Sequence, residues 1–270
     1  MSSWQPIDVW DVETYDPDLR TLLDHNAELI ASYRHTGRRM WLEREAQTRR
    51  GPMLANPHGA AYFELCERLG GWMEARTIRA WHYTRLTDGE VTWLLQNGLQ
   101  LMTLPLIRTR LDRLVAAGEI NPSLADDLYA ASPYHQDELG SRGGKIWLTT
   151  TPHPIDDYGV SGLLSDWGGE SISFNHHEGP MKERLQQIGC PRILEIALPL
   201  AATTRAYSVA GAVLEVYAYA IGCERSGGVC DLVAVEPLGP ESILAVHTAG
   251  EPGFQMMGRG CPQRFVGRDF

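Results

Sequence analysis

A histidine leaving an apolar strand can enter a pocket as a hydrogen-bonding group or base, and IRAWHYTRLTDGEVTWLLQNGLQL (Ile78 to Leu101) puts His82 there. The same residue serves equally well as a core histidine bonded to a neighbour. A second chemistry is metal-dependent hydrolysis, with His135, His153 and His176 beside an acid as ligands. His176-His177 in FNHHEGP is the one close histidine pair, and adjacent strand residues face opposite ways, so a shared metal there requires a loop. Cys66, Cys190, Cys223, Cys230 and Cys261 form no C-x-x-C pair and read as reduced, mostly buried thiols. No G-x-x-x-x-G-K-[ST] loop or G-x-S-x-G elbow occurs, and the glycines of GSRGGKIW precede a strand where a phosphate loop needs a helix.

The elements that must position these groups are legible from caps and periodicity. TIRAWHYT is rich in β-branched and aromatic residues and predicts a strand. Thr87 and Glu90 then form a capping box for a helix that Asn97-Gly98 ends, and LQLMT reads as a short strand. Leu106, Ile107, Leu111, Leu114 and Val115 recur at helical spacing, and Asn121-Pro122 restarts a helix, giving a helical hairpin over about 105–140. KIWLTTT, ESISF and RILEIALPL predict strands, DDYGVSGLLSDWGG a short helix, and YSVAGAVLEVYAYAIG fits a buried helix or a strand. CDLVAVEPLGPESILAVHT reads as two strands joined by a Pro-Gly turn, and the tail 251–270 as a loop. Upstream, Asp16-Pro17 opens one helix through Arg34, and Asn56-Pro57 opens another that Gly70-Gly71 should end. This gives an N-terminal helical region (1–76) and an α+β domain (77–250) with a split sheet.

The 34 acidic and 24 basic residues leave a formal charge of -10, which argues against generic binding to nucleic-acid backbone. A local basic face remains open: RHTGRRMWLEREAQTRRG is either a solvated helix paired with Glu43 and Glu45 or a docking surface for an anionic partner. No apolar run approaches the roughly 20 residues of a membrane span. The first thirty residues alternate charged with apolar groups, unlike a secretory signal, so a soluble, cytoplasmic protein is expected.

His82-Tyr83-Thr84 closing a strand, followed by LLQNGLQ, resembles the first NAD-binding motif of the ADP-ribosyltransferase superfamily, a strand ending H-x-T or H-x-S before a helix of the "sILenGL" type. GGKIWLTTTP resembles the next motif, a glycine before an apolar-aromatic strand, and CDLVAVEPLGPESILAVH the closing one, where an acid opens a strand. These three occur in order over about residues 77–247, leaving the N-terminal helices and the insertion uncovered. The resemblance implies a split, mixed β-sheet whose cleft binds NAD as substrate and breaks the nicotinamide–ribose bond. A carboxylate beside the ribose would stabilise the oxocarbenium-like state.

By the same resemblance His82 binds a ribose hydroxyl, backbone at Tyr83 holds the nicotinamide amide, and Thr84 supports the loop. Arg85 or Arg79 meets the pyrophosphate, and Tyr158 stacks on the ligand or plugs the sheet. Trp147 stands where the family has tyrosine, and Asp231, one methylene shorter, where it has glutamate; Glu236 and Glu215 compete for that role. Trp147 as a core residue and Asp231 as a turn residue are the plain structural alternatives. A macromolecular acceptor, recruited by the arginine-dense N-terminal region, or water would take the ADP-ribose. Toxin, defence or secreted-effector duty is a family-level expectation. NAD-dependent removal of an RNA 2'-phosphate lacks its paired histidine-arginine pattern. Outside catalysis, the rival is a scaffold module that keeps the fold without turnover.

Overall fold

Both halves of the box at Thr87 are made: its hydroxyl accepts the Glu90 N–H at 3.2 Å, and the Glu90 carboxylate accepts the Thr87 N–H at 3.0 Å. The structure is a computed structural model that describes residues 5–46, 55–136, 143–175, 178–224 and 228–260. In chain order its elements are α1 (Pro17–His25), α2 (Ala27–Ala46), α3 (Gly59–Glu74), β1 (Thr77–Leu86), α4 (Asp88–Asn97), α5 (Leu104–Ala116), α6 (Pro122–Ala130) and β2 (Ile146–Thr149). There follow α7 (Tyr158–Ser165), α8 (Glu170–Ser173), α9 (Pro180–Gln187), β3 (Cys190–Pro199), α10 (Ala206–Ala220), β4 (Asp231–Ala234), β5 (Ile243–Thr248) and α11 (Pro252–Met257). Two compact units divide the chain: Met1–Arg79 with Pro199–Ala201 and Arg205–Cys230, and Ala80–Leu198 with Ala202–Thr204 and Asp231–Phe270.

The first unit is helical. Asp16 caps α1 through the Leu19 N–H, but the expected single helix breaks at Asn26, whose side-chain amide donates to the Leu22 carbonyl and competes with the backbone ladder. Gly70 and Gly71 do not end α3, which runs on to Glu74; its packing on α10 carries it through them. YSVAGAVLEVYAYAIG is helical, with Val209, Val213, Leu214 and Tyr217 buried. In α2, Arg34 pairs with Glu215 at 2.7 Å, Arg38 with Glu224 at 2.7 Å and Arg39 with Glu43 at 3.9 Å. Of these, the Arg39–Glu43 pair is the kind expected, whereas Arg34 and Arg38 reach acids far along the chain in place of Glu43 and Glu45; the arginines at 49 and 50 lie outside the described residues.

The second unit carries the sheet. The class is α+β, and the five strands, in the order β4-β2-β1-β3-β5, form an antiparallel sheet where a mixed one was expected. β4 and β5 are both strands but lie at opposite edges, because β4 takes β2 as its partner and β5 takes β3. ESISF is helical over Glu170–Ser173: Gly168 and Gly169 turn at φ 85° and 52°, and Ile172 enters a core with Ile107, Leu111, Leu114, Trp167 and Leu185. That core fixes the α5–α6 hairpin. The tail is not wholly loop, since Pro252–Met257 forms α11; residues 261–270, Cys261 among them, lie outside the described set. Of the other cysteines, Cys66 and Cys223 are buried and Cys190 is exposed.

LQLMT yields one bridge, Leu99 to Leu238, and no strand. That bridge explains Gly98, whose φ is 75° and whose added Cβ would lie 2.0 Å from the Leu238 carbonyl oxygen. The same oxygen accepts the Leu99 N–H at 2.8 Å, so it cannot withdraw without breaking the bridge. Gly98→Ala is expected to destabilise the protein by about 2 kcal/mol or more, read as a lower urea midpoint with an unchanged denaturant slope.

Candidate functional site

Strand alternation and sheet order decide which side chains meet. Trp81 pairs with Thr149, and Thr149 with Asp231, so one row of cross-strand neighbours runs across β1, β2 and β4. Such neighbours project from the same face, and Trp147 shares that face with Thr149 two residues on. With strands about 4.8 Å apart, Asp231 stands roughly 10 Å from β1. His82 is the residue after Trp81, so strand alternation turns its side chain to the face opposite Thr149, Trp147 and Asp231. Its Nδ1 lies 2.7 Å from the Trp147 carbonyl oxygen, so the imidazole bridges β1 and β2.

A cavity of about 470 Å³, within the roughly 300–1,000 Å³ usual for small-molecule sites, takes lining residues from both faces of these strands. His82, Trp147 and Asp231 all line it, together with Tyr83 and Thr84. The carbonyl at Trp147 can only accept, which assigns the proton to Nδ1 and leaves Nε2 with a lone pair. Burial holds the His82 pKa below its ordinary value, the Trp147 hydrogen bond opposes that shift, and the positive charge of Arg110 adds to it. The imidazole is therefore a neutral acceptor near pH 7. Trp147 keeps 37% of its surface exposed, which excludes the core-tryptophan reading and leaves an indole face for stacking. The Asp231 carboxylate is exposed and makes no ion pair or side-chain hydrogen bond among the described residues.

Six expected site residues stand elsewhere or act differently. Arg85 does not line the cavity: each nitrogen of its guanidinium donates to a backbone carbonyl, those of Ile188 (2.8 Å), Leu164 and Gln186. Tyr158, at the start of α7, is 97% exposed, so it neither lines the cavity nor plugs the sheet. Glu236 is exposed beyond the end of β4 and is not among the lining residues. Thr84 borders the cavity, yet its hydroxyl makes no hydrogen bond among the described residues, so the expected loop support is not its role. Tyr83 borders it too, while its hydroxyl accepts the His153 N–H at 2.6 Å and clamps the loop after β2. Arg79 pairs with Asp8 at 2.9 Å and Glu215 with Arg34, which accounts for both.

Sequence reasoning missed a charged group in the cavity wall. Glu90 is only 7% exposed; besides capping α4 it accepts the Arg110 Nε at 2.8 Å and the Trp167 indole N–H at 2.8 Å. The Arg110 guanidinium lies over the Trp167 ring at 4.8 Å. Burial pushes the Glu90 carboxyl pKa up, but Arg110, the Thr87 N–H and the Trp167 N–H outweigh it and hold the group below the ordinary carboxylate range. A usable signal did exist: Leu106, Arg110 and Arg113 sit at i, i+4 and i+7, one stripe along α5, and all three line the cavity.

Of the histidines proposed as metal ligands, two lie among the described residues. His135 bonds the Tyr129 carbonyl at 2.9 Å, His153 lines the cavity, and His176 with His177 lies outside the described residues. Among the described residues no three His, Cys, Asp or Glu side chains group as a metal set, and no helix is long and apolar enough to cross a membrane. No protein-family profile, characterised protein or solved structure matches the chain, so this cavity is read from its own residues.

Proposed function

We propose that the chain is an ADP-ribosyltransferase-like enzyme that binds NAD as a substrate in this cavity, releases nicotinamide and passes ADP-ribose to an acceptor or to water. The observation that carries the reading is that His82, Trp147 and Asp231, from three adjacent strands, open on one cavity of about 470 Å³. The sheet supports it too: among the described residues β1 and β2 share the single pair Trp81–Thr149 where β2 and β4 share four, a narrow seam of the kind a split sheet has.

The roles follow from the chemistry. Nicotinamide stacks on the Trp147 indole, backbone at Tyr83 holds its amide, and the His82 Nε2 accepts a ribose hydroxyl. The C1'–N bond breaks with its electron pair passing to the pyridine nitrogen, which quenches that ring's positive charge and leaves positive charge on the ribose. Asp231 stabilises that charge until the acceptor adds to C1' and gives its proton to solvent or to a carboxylate. The acceptor is a protein, a nucleic acid or a small molecule.

The test is incubation with NAD labelled in the adenylate half, following nicotinamide release and label transfer together. His82→Ala should weaken NAD binding by about tenfold, the worth of one buried hydrogen bond, with the fold retained. Because the His82 pKa lies below 6.5, wild-type binding should be flat above that pH and fall as acid protonates Nε2 and removes the acceptor. Equal inertness of wild type and variants toward NAD, with candidate acceptors present, would remove the enzyme reading. Tight NAD binding without nicotinamide release would assign the chain to the scaffold alternative, for which the shortened acid at Asp231 is the physical ground.

A further inference from the structure

We propose that Arg110 and Arg113 form an anion-binding subsite in the wall of this cavity, shaped for a pyrophosphate-class group. The inference rests on the NAD reading only for the identity of the natural ligand. The subsite itself is argued from the two side chains.

Arg110 is held before any ligand arrives. One nitrogen, Nε, is bound by Glu90 at 2.8 Å, and the Trp167 ring lies under the guanidinium, so the plane is fixed by a salt bridge and a stacking contact together. Its Nη2 is buried without a hydrogen-bond partner, on a residue that lines the cavity. Buried donors are nearly always satisfied, and one left open beside a cavity is a place for an acceptor that arrives with the ligand. Glu90 neutralises the charge in the empty state and leaves the second donor edge available, which suits an anion that binds reversibly.

Arg113 follows three residues later on the same stripe of α5. Its guanidinium lies 4.3 Å from the centre of the Trp93 ring and makes no ion pair among the described residues. Both arginines ride on a helix whose other face, Ile107, Leu111 and Leu114, is locked into the second unit's core, so their spacing is rigid. Two arginines one helical turn apart on a stripe that lines the cavity suit two linked phosphates better than a single carboxylate. The cavity's remaining carboxylates belong to other elements: Asp231 opens β4, Asp157 caps α7 through the Gly159 N–H, and Glu170 opens α8. The anion contact expected of Arg85 thus passes to the helical hairpin.

The test titrates the full chain with inorganic pyrophosphate by calorimetry at two salt concentrations, then repeats the titration with NAD in the presence of pyrophosphate. Wild type should bind pyrophosphate, more weakly at the higher salt, and pyrophosphate should displace NAD. Arg113→Gln should weaken pyrophosphate binding by about tenfold, and Glu90→Gln combined with Arg110→Gln, which removes the buried pair without stranding a charge, by at least as much. Arg39→Gln, on α2, should change nothing. Far-UV circular dichroism and thermal melting establish that each variant is folded; if the double variant is not, Arg113→Gln decides alone.

Undiminished pyrophosphate affinity in folded Arg113→Gln, or no binding of pyrophosphate by wild type, overturns the subsite. NAD that binds and is not displaced overturns it too, while leaving the NAD reading intact. Pyrophosphate bound through these arginines by a chain that ignores NAD leaves the subsite standing and ends the NAD reading.

Discussion

Asp231→Asn is expected to slow nicotinamide release by about 10²- to 10³-fold while leaving NAD affinity within about threefold of wild type. The split between the two readouts is what the position demands. NAD carries little positive charge at C1' when bound and a great deal once the nicotinamide bond stretches, so a carboxylate there gains its attraction in the transition state alone. Asparagine keeps the shape and removes the charge. Asp231 is also the first residue of β4, paired with Thr149 and exposed, so the change carries almost no folding penalty to confuse the result. Asp231→Glu is the companion measurement: it restores the methylene that the family pattern has, and release at or above the wild-type rate would establish that reach limits this site. If Asp231→Asn releases nicotinamide at the wild-type rate, the acid beside the ribose is another of the lining carboxylates, Asp157 or Glu170.

The largest effect on stability should come from Glu90→Ala, by about 3–5 kcal/mol. The substitution strands Arg110, which is 13% exposed at the side chain, with an uncompensated charge. It also leaves the Trp167 indole N–H unsatisfied and opens the capping box of α4, worth about 1 kcal/mol by itself. Urea denaturation reads the loss. A double-mutant cycle with Arg110→Met should return most of it, because removing both charges together leaves none buried and alone. The pH dependence has a definite sign. The folded Glu90 pKa lies below its ordinary value of 4.5, so its contribution is fully present above 4.5 and is lost as pH falls through the folded value. Acid unfolding of wild type should therefore be steeper below pH 4.5 than that of Glu90→Gln.

The two experiments separate chemistry from architecture. Asp231 carries no structural duty and should move the rate alone, whereas Glu90, which also borders the cavity, is committed to Thr87, Arg110 and Trp167. Loss of pyrophosphate affinity in Glu90→Gln with a wild-type arginine would mark Glu90 as a positioning residue.

Much of the site's framework was legible because it is local. Thr87 and Glu90 are three residues apart, Asp16 and Leu19 likewise, and a hydrogen bond across such a span depends on little outside the segment. The strand at 77–86 and the α5–α6 hairpin follow from residue type and periodicity in the same way. The failures share the opposite cause. Gly70 and Gly71 stay helical because α10, more than a hundred residues later, packs against their helix. Ile172 reads as part of a strand until a core of distant residues takes it.

The sequence by itself determined the capped helices and that His82 leaves a strand beside one of them, since caps, turns and periodicity act over a few bonds. Tertiary structure alone decided which charges come to the cavity. Arg85 faces three backbone carbonyls, Arg110 and Arg113 come to the cavity from a hairpin with no motif, and Asp231 joins the face of Trp147 because β4 pairs with β2 and not with β5. The physical reason is that a charged side chain is placed by the order of strands and the packing beneath it, and both are set by contacts between residues far apart in the chain.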